Sequence, residues 1–480
     1  MDEKASLKKE KKKKKRNKKK KNEIHGKEEN TCKNLSDLPN ALIYEILSKL
    51  PTKDAVRTSV LSKYWRHQWR YIYKFDLKEE SHERREDFKE FVKSVLRGCH
   101  NSLCLTKFSL SCDVSNDAAL VNVWLQAFIN RGIEELILDF RRVKGQLTFP
   151  EDVFDSPTLT KFHLSMPFCF ILPPRYDFKN LKELILKNVV FQDGGSTYQL
   201  FSGCRSLEDL TLIDCNWMNV ESVYISCPLL QNLTISDWIH QDYNDDEEEE
   251  EESGCQIMII ASNLKTFSYN GDMVNDYFVY CKSPVVKACI TIEALGGSSS
   301  WDNGFFLFKM LKGFPNVKKL SITDSLIQAL CHAPSLMPHL PCFKKVTHLQ
   351  LRRQVPLNLP CKAFMALIHN SPSLQTLDFQ TGVYAGGEAD IGGALSIPEC
   401  FETQLKRISM SGFSGNSLEL NVIKYLLRVT PLLEEFNIFI SACAVDPSVD
   451  AIQMMEDLYC KILAFPRASQ DCDIHWEFWK

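Results

Sequence analysis

A chain of 480 residues is too long for one compact core, so two or more units are expected. Its 44% apolar and 25% charged residues are ordinary for a soluble globular protein, and no apolar run nears the ~20 residues of a membrane-spanning helix. The net charge of −3 conceals two opposed blocks, 14 Lys/Arg against 6 Asp/Glu in residues 1–30 and 9 acids between Asp242 and Glu252, which leave no broad basic field for nucleic acid as a partner.

The 18 cysteines include no Cys-x-x-Cys pair, and the lysine-rich start lacks the apolar stretch of a secretory signal. Buried reduced thiols are therefore expected rather than a disulfide framework. Cys472 and His475 form a lone Cys-x-x-His, one pair short of a structural zinc site, so neither metal nor cofactor is expected.

Residues 1–30 are low-complexity and self-repelling, a disordered tail by composition. The run Lys11, Lys12, Lys13, Lys14, Lys15, Arg16, Lys18, Lys19, Lys20 and Lys21 fits a nuclear-import signal, which places the protein in the nucleus, the cytoplasm or both. Order is expected from Leu35. Pro39 suits a helix start, and Leu42, Ile43, Ile46, Leu47 and Leu50 follow at helical spacing. Pro51 ends that helix, Thr52 is a candidate cap for the next, and Ser62 precedes a third segment with Trp65 and Trp69. Three helices this short bury too little to stand alone, and their apolar set exceeds their size, which suggests a permanent partner.

The series Leu38-Pro39, Ile46-Leu47, Leu50-Pro51-Thr52-Lys53-Asp54, Val60-Leu61-Ser62-Lys63 and Trp65-Arg66 with Trp69 resembles the plant F-box, nearly without gaps over residues 34–72. Tyr64 and Gln68 depart from it, where the family often has a basic and an apolar residue. The resemblance implies docking of a Skp-type adaptor, and through it a cullin, by Leu38, Pro39, Ile46, Leu50, Pro51, Val60, Leu61 and Trp65 or the core beneath them.

From Leu105 a different pattern takes over: apolar, two residues, apolar, one residue, apolar. It runs from Leu105-Phe108-Leu110 through Leu207-Leu210-Leu212 and Leu374-Leu377-Phe379 to Leu433-Phe436-Ile438, with a weak copy at Val285-Ala288-Ile290. Starts separated by roughly 22 to 34 residues match the period of leucine-rich repeats, loosened by insertions. Each unit is expected to be a short strand with a looping or helical return, stacked into a solenoid horseshoe whose neighbours share a core. The fold class is thus α/β: an N-terminal three-helix F-box, then irregular repeats.

Proline upstream of several copies (Cys227-Pro228, Ser371-Pro372, Thr430-Pro431) resembles the repeats of plant F-box proteins. Leu405-Lys406-Arg407-Ile408, Gly412-Phe413-Ser414-Gly415, Glu419-Leu420, Ile423-Lys424-Tyr425-Leu426-Leu427 and Pro431-Leu432-Leu433-Glu434 resemble the FBD module, expected to act as a terminal cap. The expected division is a basic tail at 1–30, F-box at 31–75, helical linker at 76–100, repeats at 101–400 with the acidic insert 242–252, FBD-like module at 401–445 and C-terminal segment at 446–480. The glycine-rich stretch Gln380–Cys400 is expected to be a flexible loop.

In a repeat stack the strand residues flanking the inward apolars line the open face. These include Asp209, Thr211, Asn232, Thr234, Lys319, Ser321, His348, Gln350, Arg352, Thr376 and Asp378, a mixed polar set that locates a target-binding face without naming the target. No phosphate-binding glycine loop, nucleophile elbow or zinc-protease helix is present, so no catalysis is expected. The function expected is substrate recognition for a Skp–cullin–F-box ubiquitin ligase. The alternative is a non-degradative scaffold using the same modules.

Overall fold

The computed structural model describes residues 35–99, 105–143, 147–173, 177–217, 220–237, 254–273, 275–292, 300–352, 356–386, 396–441 and 449–479. The basic tail with its proposed import signal and the acidic insert Asp242–Glu252 lie outside them. The chain divides into two units, residues up to 77 with 93–103, and residues 78–92 with 104–480. The stretch 76–100 is therefore shared between the units rather than forming a linker of its own; most of it is one helix, Arg85–Gly98.

The first unit packs three short helical segments, Asn40–Ser48, Thr52–Arg57 and the 3-10 turns Trp65–Tyr71. Proline stands at the N-cap of each of the first two, where its lack of an N–H costs nothing. Ile43, Leu47, Ala55, Trp65, Trp69 and Ile72 form the core. Thr52 does not cap its helix as expected. It is buried, and its hydroxyl accepts the Asp76 N–H at 2.7 Å, while Ser48 accepts the Tyr73 N–H at 3.4 Å. The outer edge of the Trp69 ring comes up against Gly98, where a Cβ would fall 2.3 Å from it, so the site favours glycine.

In the second unit the repeats stack as parallel strands in chain order, from Lys107–Cys112 to Asp473–Trp479. Each of the thirteen apolar triplets seen in the sequence carries a strand, the weak copy at Lys287–Thr291 included. Register is in phase: Leu184 faces Leu210, which faces Leu233, then Phe267, Ala288, Leu320, Leu349 and Leu377. All eight are buried, each contributing about 1.5–3 kcal/mol where the side chain is a full Leu or Phe. The stack opens on a polar clamp. The Arg85 guanidinium bonds Glu79 at 2.9 Å, Asp117 at 2.7 Å and the Val114 carbonyl, and Lys89 joins Asp117 at 2.6 Å. The Lys89 and Arg85 bonds hold the Asp117 carboxyl below its usual range against the opposing effect of burial.

The returns are not all helical or looped. Three consecutive ones, Ser222–Ser226, Gln256–Ile260 and Asp276–Tyr280, form a second parallel sheet. The two sheets are joined by the buried Asp237 carboxylate, which accepts Asn275 Nδ2 at 2.7 Å and the Tyr277 hydroxyl at 2.6 Å. Burial pushes that carboxyl up. The prolines upstream of the strands also gain a reason. Ser371 and Thr430, each just before proline and buried, close their helices by donating to the carbonyls of Leu367 and Leu426. Cys227 donates instead to Phe201 of the preceding repeat.

The FBD-like module is not the terminus of the stack. Helix Val449–Leu463 and strand Asp473–Trp479 follow it, and that strand pairs along the whole of Glu435–Ser441. The C-terminal segment is thus a fourteenth repeat. Within the module, Gly412 (φ +70°) and Gly415 (φ +83°) bend the chain around the Glu419 carboxylate. Its Oε2 accepts the N–H groups of Ser414, Gly415 and Asn416 and the Ser414 hydroxyl, at 2.9–3.3 Å. Asn416 completes a capping box on helix Ser417–Val429. Gly382, expected in a flexible loop, instead sits against this carboxylate, where a Cβ would fall 2.8 Å from Oε1. Because Glu419 is only 3% exposed, truncation leaves buried donors unsatisfied. Glu419→Ala should cost about 2–3 kcal/mol, read as faster amide exchange across residues 407–438; unchanged exchange would show the clamp to be dispensable.

Candidate functional site

The small helical unit presents its aliphatic residues in two directions. On helix Asn40–Ser48, Ile43 and Leu47 point into the core, whereas Leu42 and Ile46, four apart on another face, are 46% and 42% exposed. Leu50 is 39% exposed, Leu61 64% and Val60 87%. Leu38 is half-buried, and Pro39 and Pro51 are exposed. Trp65 is the exception to the expected set. It is only 6% exposed, and its Nε1 donates to Ser36 Oγ at 3.0 Å. It supports the surface from inside rather than belonging to it. Tyr64, a departure from the family pattern, ties the first and third segments by donating to Asn40 at 2.6 Å.

The polar face of the repeat sheet is bonded laterally to itself. Asn232 donates to Asp209 and accepts from Thr266. Ser321 donates to Gln350 at 3.0 Å, and Gln350 to Asp378 at 2.9 Å. Ser321 is 3% exposed and so is unavailable to a target, contrary to expectation. Thr211 and Thr234 are register partners, and Thr234 is exposed. Lys319, His348, Thr376 and Arg407 occupy one register row, with Lys319 exposed. Arg352 stands beside Thr323. Partial burial, with Lys319 and Arg407 nearby, holds the His348 imidazole below its ordinary 6.5.

A second feature of this face was missed from sequence. The first strand position alternates in sign over four repeats, Lys107, Glu135, Lys161 and Glu183, and is paired Lys107–Glu135 and Lys161–Glu183, each at 2.7 Å. His163 adds a 2.9 Å bond to Glu183. Burial pushes the Glu183 carboxyl up, but Lys161 and His163 outweigh it and hold the group below its usual range. Arg407 and Glu435 repeat the pairing near the other end. The signal was available as alternating charge just before each inward apolar residue.

Among the described residues no three His, Cys, Asp or Glu side chains gather as metal ligands, and no helix is long and apolar enough to cross a membrane. Comparison with known proteins finds three domain matches along the chain. An F-box domain matches residues 35–76, the LRR repeats of the FBD-associated F-box protein At5g56370 match 121–248, and an FBD domain matches 394–438. The chain is 26% identical over 458 residues to F-box/LRR-repeat protein At4g14096 of Arabidopsis thaliana, covering 90% of this chain and 93% of that one. It is 35% identical over 206 residues to F-box/LRR-repeat protein At3g26922 of the same plant, covering 42% of this chain and 67% of that one. The chain belongs to the plant F-box/LRR-repeat family.

This F-box therefore has a core and a surface that substitutions should separate. Trp65→Ala should lose about 3–5 kcal/mol, seen as rapid amide exchange across residues 40–72. Val60→Asp, on an 87% exposed side chain, should stay within about 0.5 kcal/mol of wild type. Equal effects would overturn the division. On the repeats, His348 should titrate below 6.5 by NMR, and Lys319→Ala should raise its midpoint. Since the folded state favours the neutral ring, the contribution of His348 to stability falls as pH drops through 6.5. A midpoint at or above 6.5 would contradict this.

Proposed function

We propose that this F-box/LRR-repeat chain is the substrate-recognition subunit of a Skp–cullin–F-box ubiquitin ligase. The observation carrying the proposal is that Ile46, Leu50, Val60 and Leu61 remain exposed on an F-box whose core is already complete without them. Aliphatic side chains of this kind contribute roughly 2 kcal/mol or more each when a partner desolvates them. Leu38, Pro39 and Pro51 would complete the contact with a Skp-type adaptor, with Trp65 holding it from behind.

In this role the chain performs no chemistry of its own. It would hold a target protein on the polar repeat face within reach of a ubiquitin-charged enzyme, raising the effective concentration of the target lysine. The lateral bonds leave Thr234 and Lys319 as the more accessible members of the expected target-binding set.

Wild-type chain should co-purify with a Skp-type adaptor. Val60→Asp with Leu61→Asp should weaken that binding at least 100-fold, by burying two charges in place of two anchors. Retention by the folded double variant would sink the proposal. Adaptor binding without accumulation of any bound protein after loss of the chain would favour the scaffold role instead.

A further inference from the structure

Two thiols of neighbouring repeats face one another across the returns of the solenoid. Cys331 lies in the last turn of helix Asp324–His332, and Cys361 is the N-cap of helix Lys362–His369. Their sulfur atoms are 3.3 Å apart. A disulfide needs about 2.05 Å, so the two sulfurs must draw closer to bond. Cys331 is exposed and Cys361 partly so, which lets a small reagent in. Cys204 and Cys227 also lie near each other, but both are wholly buried and out of such a reagent's reach.

We propose that Cys331 and Cys361 are a reversible thiol–disulfide site that staples two consecutive repeats, with a glutathione-type disulfide as oxidant. The exposed Cys331 thiolate attacks one sulfur of the oxidant, breaking its S–S bond and releasing one glutathione thiolate. The Cys361 thiolate then attacks the Cys331 sulfur of the mixed disulfide and releases the second. Two protein S–H bonds are replaced by one S–S bond, the protein loses two electrons, and the two protons pass to the two glutathione thiolates.

The bond would tie the end of one return helix to the start of the next. The main-sheet strands of those two repeats are Lys319–Thr323 and His348–Arg352, which carry Lys319 and His348 on the polar face. Oxidation would therefore fix the spacing of two repeats directly behind part of the expected target surface. Burial, with the Cys361 thiol beside it, pushes the Cys331 thiol up to about 11, so exchange is slow at neutral pH and is followed to equilibrium.

The test uses the full chain equilibrated with oxidised glutathione, blocked with N-ethylmaleimide, digested and weighed. The expected product is a peptide pair joined through Cys331 and Cys361, two hydrogens lighter than the two thiols and restored by excess reduced glutathione. Cys361→Ser should lose the cross-link and trap glutathione on Cys331. Recovery of both cysteines as separate N-ethylmaleimide or glutathione adducts in wild-type protein would overturn the proposal, as would a cross-link found only between two chains.

Discussion

No repeat of this solenoid can bury its own apolar face, and the rest of the second unit follows from that. The inward side chains form one column only because successive parallel strands keep the same phase, as in Phe162–Leu184–Leu210–Leu233. A slip of one residue anywhere would turn a strand's apolar set to solvent. The column tolerates irregular return lengths because the returns do not set its phase. It tolerates a register irregularity at Ser411 and Phe413 because Gly412 absorbs the turn. Beyond the thirteen triplets the column is extended by one more strand, Asp473–Trp479, paired in phase along Glu435–Ser441.

The F-box obeys the opposite constraint. Its core is completed by two tryptophans and a few aliphatics, and polar side chains such as Ser36, Ser48 and Thr52 are spent on tying its segments together. With so little volume, the remaining aliphatics have nowhere to go, and they stay on the surface as a consequence of size. A helix of nine residues offers two faces, and a unit this small can cover one of them. Exposed aliphatics beside a finished core are what a surface built for another chain looks like.

Much of this was legible in the sequence because it is periodic. All thirteen triplets carry strands, since an apolar residue three and then two positions on is demanded by the strand and its entry turn. The fourteenth strand escaped because Asp471 stands where the first apolar residue should, and Cys472, one position later, is buried instead. The second sheet escaped although two of its strands carry the same spacing, Val220-Val223-Ile225 and Val274-Tyr277-Val279, because each falls between copies of the main series; Gln256–Ile260 has Gly254 at the first position and breaks the pattern. Trp65 could not be placed from sequence, because spacing alone does not say on which side of a 3-10 turn a tryptophan falls. Glu419 was readable as part of a family motif, but its clamp depends on two left-handed glycines and a neighbouring repeat.

The lateral bonding of the polar face bears on how such a face can recognise anything. Where Lys and Glu alternate from repeat to repeat, their charges cancel locally, so that stretch projects little net field. Where amides and hydroxyls follow, as in Ser321–Gln350–Asp378, each group already has a partner. A target must then either displace those bonds, at a cost comparable to what it gains, or address the groups left over. Cross-strand pairs of this kind stabilise the sheet by roughly 0.2–1 kcal/mol each, so the same side chains serve cohesion first. If the proposed target binding uses this face, discrimination would rest on a small number of more accessible positions and on the spacing of the strands that carry them, rather than on the charge of the face as a whole.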